Sequence, residues 1–157
     1  MLLVSCHTSK SNKTPDYRKK EETVIHIQGK NKRGKKVVEE ALEWIGTPYQ
    51  YAKAEKGAGT DCSGLVMMSY LEATGLKLPR NSAKQAEFCK KISSSDVQIG
   101  DLCFFATGKD PNRISHVGIM IDNETFIHAS SKKGVITTKI NSPYYVRTFI
   151  QFGRVPD

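Results

Sequence analysis

The stretch GTDCSGLVMMSY, residues 59–70, places a cysteine between two polar residues at the start of an apolar run. Asp61 or Thr60 can cap a helix that begins here and ends at Gly75. The helix is apolar nearly all round, which predicts a central and buried position. Unpaired backbone N–H groups at a helix N-terminus stabilise a thiolate and lower its pKa. Position alone leaves two interpretations of Cys62 equally open, a reactive thiol and a buried packing cysteine.

Helical patterns come before strand patterns along the chain. Apolar residues recur at helical spacing over 33–45, ending at Gly46, and a further helix is predicted from an N-cap at Ser82 to about Lys91. From residue 100 onwards, five β-branched or aromatic segments follow: DLCFFA, HVGIMI, ETFIHA, GVITTKI and YYVRTFIQFGRV. Helices followed by strands predict an α+β fold with an antiparallel sheet.

Two histidines lie on a predicted hairpin, HVGIMIDNETFIHA. With a three-residue loop over 122–124, Ile121 opposes Thr125 and Gly118 opposes His128. His116 and His128 then project from one face of the sheet as diagonal neighbours. A two-residue loop would send them to opposite faces, so the register decides whether they can act together.

A cysteine at a helix N-terminus and two histidines on one sheet face are the parts of a Cys–His hydrolase. One imidazole takes the thiol proton and later protonates the leaving amine, while a third polar group orients the ring. Cys62, His116 and His128 match these roles. The same three residues could hold zinc, which is the less favoured interpretation, and no cofactor is expected.

The net charge of +8 is concentrated near the N-terminus. Residues 10–36 contain ten Lys or Arg and three acidic residues, a balance of +7. We therefore predict a flexible basic tail or linker over 1–32, with TVIHI at 23–27 as a possible edge strand, and one catalytic domain over 33–157. The tail has one aromatic residue and no recognisable nucleic-acid-binding module, so nucleic acid is not an expected partner.

The motif LVSC, ending at Cys6, resembles a bacterial lipobox, in which the cysteine is lipidated. Five residues precede Cys6, too few for a complete signal sequence, so a truncated precursor or a chance match are the two interpretations. The first predicts an exported cell-envelope protein, lipid-anchored and facing the periplasm.

Six motifs occur in the order, and at nearly the spacing, of the NlpC/P60 family of bacterial cell-wall peptidases: GTPYQY, GTDCSGLV, LPRNSAKQ, IGDLCFF, HVGIMI and FIHASS. The resemblance covers about residues 34–155. It implies a papain-like fold, with the helix of the nucleophile packed on an antiparallel sheet. It also implies hydrolysis of murein stem peptides at the bond between γ-D-glutamate and the diamino acid.

The resemblance also assigns roles by position. It makes Cys62 the nucleophile, His116 the general base and His128 the residue that orients the base. In some members, residues at these positions bind substrate, holding the free amine of the first L-alanine or stabilising the oxyanion. The matching residues here are Tyr49, Asp61 and Ser63.

The chain departs from the family pattern before the nucleophile, where Tyr51-Ala52-Lys53 replaces a common Tyr-Gly-Gly. This leaves open whether Tyr49 or Tyr51 serves the site. Arg80 and Gln85 also match a family motif, and structural support is their expected role. The alternatives are a papain-like amidase or acyltransferase on another substrate, a non-catalytic module that binds murein peptides, and a secreted toxin. A monomer is expected.

The lipobox interpretation predicts a covalent modification. The full-length precursor, expressed in bacteria, should incorporate labelled fatty acid, and the Cys6→Ala variant should not. Equal labelling of the two proteins would show that the match at Cys6 is fortuitous.

Overall fold

The computed structural model describes residues 31–157, so the tail, the patch at 23–27 and Cys6 lie outside the described residues. The helices are α1 (Lys32–Leu42), α2 (Cys62–Thr74), α3 (Ser82–Phe88) and α4 (Pro143–Thr148). The strands are β1 (Ala54–Glu55), β2 (Gly59–Thr60), β3 (Lys90–Ile92), β4 (Leu102–Phe105), β5 (His116–Met120), β6 (Thr125–Ser130), β7 (Gly134–Lys139) and β8 (Phe149–Arg154). Between residues 31 and 157, no helix has the length and apolar character needed to cross a bilayer.

Six strands form one antiparallel sheet in the order β3-β8-β4-β5-β6-β7. Helices α1 and α2 pack against each other, and α2 contacts β5 and β6. The short β1–β2 hairpin lies between α1 and α2. The predicted α+β architecture, helices packed on an antiparallel sheet, is confirmed.

Helix α2 is the central element that the sequence predicts. The Asp61 side chain caps it by accepting a hydrogen bond from the Gly64 N–H at 2.8 Å. The helix ends at Gly75, which has a left-handed backbone (φ +77°) and donates its N–H to the carbonyl of Leu71. Because α1 covers one side and the sheet another, most of α2 is buried, including Cys62.

Three boundaries, in two helices, differ from the prediction. Helix α1 ends at Leu42, and Ile45 is 39% exposed while Trp44 takes the buried position. The N-cap of α3 is Asn81, not Ser82, since the Asn81 side chain accepts from the N–H of Lys84. Helix α3 also stops at Phe88, because residues 90–92 pair with β8 as strand β3.

The segment YYVRTFIQFGRV is only half strand. Residues 143–148 form α4, which starts with Pro143 in its first turn, and β8 begins at Phe149. A proline in the first helical turn is well tolerated because its missing N–H has no intrahelical partner there. The short helix brings Tyr145 against the face of the sheet that points away from α1 and α2.

The two faces of the sheet bury different side chains. Val117, Ile119 and Ile127 belong to the core that includes the helices. The opposite face carries Cys103, Phe105, Met120, Phe126 and Phe152. His116 is the register partner of Phe105, so it projects from this second face.

Gly118 keeps this second face close-packed between the two histidines. A Cβ at Gly118 would lie 2.5 Å from Cδ2 of Phe126 and 2.9 Å from the carbonyl oxygen of Ile127. The Phe126 ring in turn contacts the His128 ring, with centroids 4.7 Å apart. A side chain at position 118 would therefore displace Phe126 and disturb His128.

We expect Gly118→Ala to destabilise the domain by about 1–3 kcal/mol, because overpacking a filled face forces its neighbours to move. Thermal unfolding should show a melting temperature several degrees below that of the wild type. Gly108→Ala is the matched control, since its Cβ would meet nothing closer than the Ser115 hydroxyl at 3.6 Å. Equal melting temperatures for the two variants would contradict the packing argument.

Candidate active site

Cys62 occupies the first turn of α2, as its sequence position predicts. It is 9% exposed, and the backbone N–H of Val117 hydrogen-bonds to its sulfur. Val117 follows His116 directly at the start of β5. The nucleophile candidate therefore lies against the strand end that carries the first candidate histidine.

The expected low pKa of this thiol is wrong for the free protein. Burial raises the pKa of Cys62 to about 11, and the carboxylate of Asp61 adds to the rise. Backbone N–H groups of Val117, Ser63 and Cys62 act in the opposite direction but do not compensate. Desolvation of the charged form thus outweighs the helix N-terminus, and the thiol is neutral at neutral pH.

The predicted hairpin register is confirmed. Ile119 pairs with Ile127 and Met120 with Phe126, which is the register that sets Gly118 opposite His128. His116 Nε2 and His128 Nδ1 are hydrogen-bonded at 2.9 Å, and the two rings are nearly perpendicular. The two histidines therefore share a face and act on each other directly.

Burial keeps both imidazoles neutral. It lowers the pKa of His116 to about 4 and, together with the neighbouring His116 ring, lowers that of His128 to about 3. In the unfolded chain both rings would protonate near the ordinary histidine pKa of about 6.5. The unfolded state then binds more protons, so the fold loses stability as the pH falls from about 6.5 towards 4.

Thr138 and Tyr145 are parts of the site that the sequence did not indicate. Thr138 Oγ1 lies 2.9 Å from Nε2 of His128. The Tyr145 ring lies 5.3 Å from that of His128 and 6.2 Å from that of His116, between centroids. The β6–β7 register, with Phe126 opposite Thr138, would have placed Thr138 on the histidine face, but nothing local specifies that pairing.

The carboxylate of Asp61 is fully engaged within the chain. Arg80 pairs with it in a bidentate manner, with both Nη–Oδ distances 2.9 Å, and also donates to the Ser63 hydroxyl at 3.0 Å. The N–H of Ala52 donates to the same carboxylate at 2.9 Å. Asp61 is therefore already paired in the free protein, and its role in holding a substrate amine stays a prediction.

Ala52, which stands where the family pattern often has glycine, has an unusual backbone conformation. Ala52 has φ +61°, a left-handed conformation that favours glycine, as in the common Tyr-Gly-Gly pattern. The strain of about 1–2 kcal/mol is offset in part by the hydrogen bond to Asp61. This turn sends Tyr51 outward, where it is 84% exposed, while Tyr49 is half-buried and its backbone pairs with Thr60.

An open cleft of about 770 Å³ lies over Cys62. Its walls include the three residues that the resemblance assigns to substrate binding, Tyr49, Asp61 and Ser63, together with Tyr51 and Arg80. Burial raises the pKa of Tyr49, so its phenol remains a hydrogen-bond donor. The remaining charged residues of the cleft are Lys84, Lys109, Asp110 and Arg113.

The support role expected for Gln85 is clear from its contacts. Gln85 is buried and donates through Nε2 to the carbonyl oxygens of Ser63 and Pro79, which ties α3 to the start of α2.

Across residues 31–157, no three His, Cys, Asp or Glu side chains converge as a metal site requires, so the geometry does not support the zinc alternative.

The NlpC/P60 family model matches residues 46–154. A probable endopeptidase of Haemophilus influenzae is 40% identical over 74% of this chain and 71% of its own length. The Escherichia coli murein DD-endopeptidase MepS/murein LD-carboxypeptidase is 37% identical over 76% of this chain and 62% of its own length.

Two further relatives extend the comparison. The Bacillus subtilis bifunctional muramidase/DL-endopeptidase CwlT is 36% identical over 76% of this chain, which matches 36% of that protein. A crystal structure of a lipoprotein-like NLP/P60 protein from Staphylococcus aureus superposes with a TM-score of 0.71 at 32% identity, covering 80% of this chain and 42% of that one. The chain belongs to the NlpC/P60 family.

Proposed function

We propose that this protein is a cysteine peptidase that hydrolyses the peptide stems of peptidoglycan. Cys62 is the nucleophile, His116 the general base and His128 the residue that orients the base. The observation that carries these roles is the hydrogen bond between His116 and His128, together with the position of His116 beside Val117, whose N–H contacts the Cys62 sulfur. Hydrolysis of peptidoglycan peptides is the activity named for MepS and, as a DL-endopeptidase, for CwlT.

The reaction starts from a neutral thiol and a neutral imidazole. As the sulfur attacks the carbonyl carbon of the scissile amide, the thiol proton passes to the free nitrogen, Nδ1, of His116. The charge that develops on that ring is stabilised by its hydrogen bond to His128. The negative charge moves from the sulfur to the carbonyl oxygen, giving a tetrahedral oxyanion.

Breakdown of this intermediate completes the cycle. The C–N bond breaks, the leaving amine takes the proton from His116, and a thioester to Cys62 remains. Water then attacks the thioester while His116 accepts its proton, and the same proton returns to the sulfur as the carboxylic acid leaves. Atoms and protons balance, and the reaction needs no cofactor.

Several cleft residues suit an acidic peptide. Tyr49 presents a phenol that can donate to the oxyanion or the substrate backbone, and Ser63 presents a hydroxyl held by Arg80. The cleft contains four cationic side chains and two carboxylates, of which Asp61 is already paired. Murein stems carry free carboxylates, so a cationic cleft favours their binding.

For the bond, we propose the link between γ-D-glutamate and the diamino acid, as the family resemblance implies. The names of the relatives do not decide it, because a DD-endopeptidase and a DL-endopeptidase are nearly equally identical to this chain. We also propose that the protein acts as a monomer in the cell envelope, lipid-anchored through Cys6, where its substrate lies.

Cleavage of purified muropeptides, followed by mass spectrometry, tests the activity and the bond together. The wild type should release a product ending in D-glutamate, and Cys62→Ala should release none. His116→Ala should lose nearly all activity, whereas His128→Ala should retain more, because an orienting residue is partly replaceable. Cys89→Ala, a cysteine at the end of α3 that lies outside the cleft and away from the two histidines, is the control.

Three outcomes would contradict parts of this proposal. Full activity of Cys62→Ala would refute the cysteine mechanism. Products cut at the D-alanyl cross-link would identify a DD-endopeptidase and refute the proposed bond. Binding of muropeptides without cleavage by the wild type would favour the non-catalytic module.

The neutral ground state gives a separate prediction. The ultraviolet absorbance of a thiolate, taken as wild type minus Cys62→Ser, should be absent at neutral pH and appear as the pH approaches the Cys62 pKa of about 11. The burial that raises this pKa is the physical reason. A thiolate signal that is already constant from mildly acidic pH would reveal a preformed thiolate–imidazolium pair and overturn the prediction.

A further inference from the structure

Thr138 ends a chain of hydrogen bonds that begins at the proposed base. His116 Nε2 and His128 Nδ1 are 2.9 Å apart, and His128 Nε2 and Thr138 Oγ1 are also 2.9 Å apart. Thr138 lies on β7 and is half-buried, and it does not line the cleft over Cys62. A direct contact between Thr138 and substrate is therefore not part of its role.

Two neutral rings can share these bonds in two ways only. In the first, His116 donates from Nε2 to Nδ1 of His128, and His128 donates from Nε2 to the hydroxyl of Thr138. In the second, every bond is reversed and the Thr138 hydroxyl donates. The first leaves a lone pair on Nδ1 of His116, whereas the second places a proton there and removes the base.

We propose that Thr138 is a positioning residue for the reaction, whose Oγ1 accepts the Nε2–H of His128 and holds both rings in the tautomer that leaves Nδ1 of His116 free. This inference rests on the proposed function, because it assigns Nδ1 of His116 as the proton acceptor. It extends the Cys62–His116–His128 set by one hydrogen-bonded member.

The surroundings of His128 offer its Nε2–H no ready replacement for the Thr138 hydroxyl. The ring is 1% exposed, so water does not substitute readily for a lost partner. Phe126 and Tyr145 contact the ring with centroids 4.7 and 5.3 Å away, and their faces offer no strong acceptor for Nε2–H. A buried N–H without a partner is costly, so removing the hydroxyl should release the ring from its tautomer and orientation.

The test reads the tautomers directly by ¹⁵N NMR of the histidine rings, in the Cys62→Ala background. With Thr138 in place, His116 and His128 should both carry their proton on Nε2. Thr138→Val should change the tautomer or broaden the signals of His128, and Thr138→Ser should keep the wild-type pattern. A proton on Nδ1 of either ring in the parent, or an unchanged spectrum in Thr138→Val, would overturn the inference.

Kinetics on muropeptides supplies the second arm, with Cys62 intact. Thr138→Val should lower kcat by about ten- to a hundredfold, with little change in KM, and Thr138→Ser should restore most of the loss. Thr137→Val is the matched control, since Thr137 pairs with Ile127 and belongs to the opposite face of the sheet. Equal kcat values for the Thr138→Val and Thr137→Val variants would refute a positioning role.

The two arms separate this inference from the proposed function. If the wild type cleaves no muropeptide, the proposed function fails, while the NMR spectra still decide the tautomer assignment. If the wild type cleaves and Cys62→Ala does not, but Thr138→Val behaves as wild type, the proposed function stands and the role of Thr138 falls.

Discussion

Asp122 closes the turn between β5 and β6 by accepting hydrogen bonds from the backbone N–H groups of Glu124 and Thr125, at 2.8 and 2.7 Å. This turn sets the pairing of Ile119 with Ile127, and that pairing determines that His116 and His128 lie on the same face of the sheet. A slip of one residue would send His128 to the helix side of the sheet, because side chains alternate along a strand. Gly118 then leaves the space into which Phe126 packs beside His128.

The same close packing determines the electrostatics of the site. Each candidate catalytic group is buried enough that its charged form is penalised, which raises the pKa of Cys62 and lowers those of His116 and His128. A thiolate and an imidazolium formed together would partly cancel each other's cost, whereas either alone would be unfavourable. In the proposed mechanism, proton transfer is therefore coupled to attack on the substrate, and the raised pKa keeps Cys62 a neutral thiol in the free protein.

Local signals in the sequence were sufficient to predict the helix that carries Cys62 and the hairpin that carries the two histidines. The Asp61 cap, the Gly75 stop and the three-residue turn each depend on residues close together in the chain, which is why they could be predicted. Thr138, Tyr145 and the Asp61–Arg80 pair depend on long-range packing instead. The prediction of a lowered Cys62 pKa was wrong for a related reason. The shift depends on burial by the whole fold rather than on the position of Cys62 in the helix.

The Asp61 side chain holds both the wall of the cleft and the helix turn that contains Cys62. Its carboxylate caps α2 through Gly64, fixes the strained turn at Ala52, and orients Arg80 beside Ser63. The Arg80 side chain is 41% exposed, so solvent screens much of the Coulomb attraction in this pair. The backbone hydrogen bonds from Gly64 and Ala52 are less affected, because Asp61 itself is buried. In the free protein the carboxylate therefore links three chain segments: the start of α2, the turn at Ala52 and the segment of Arg80.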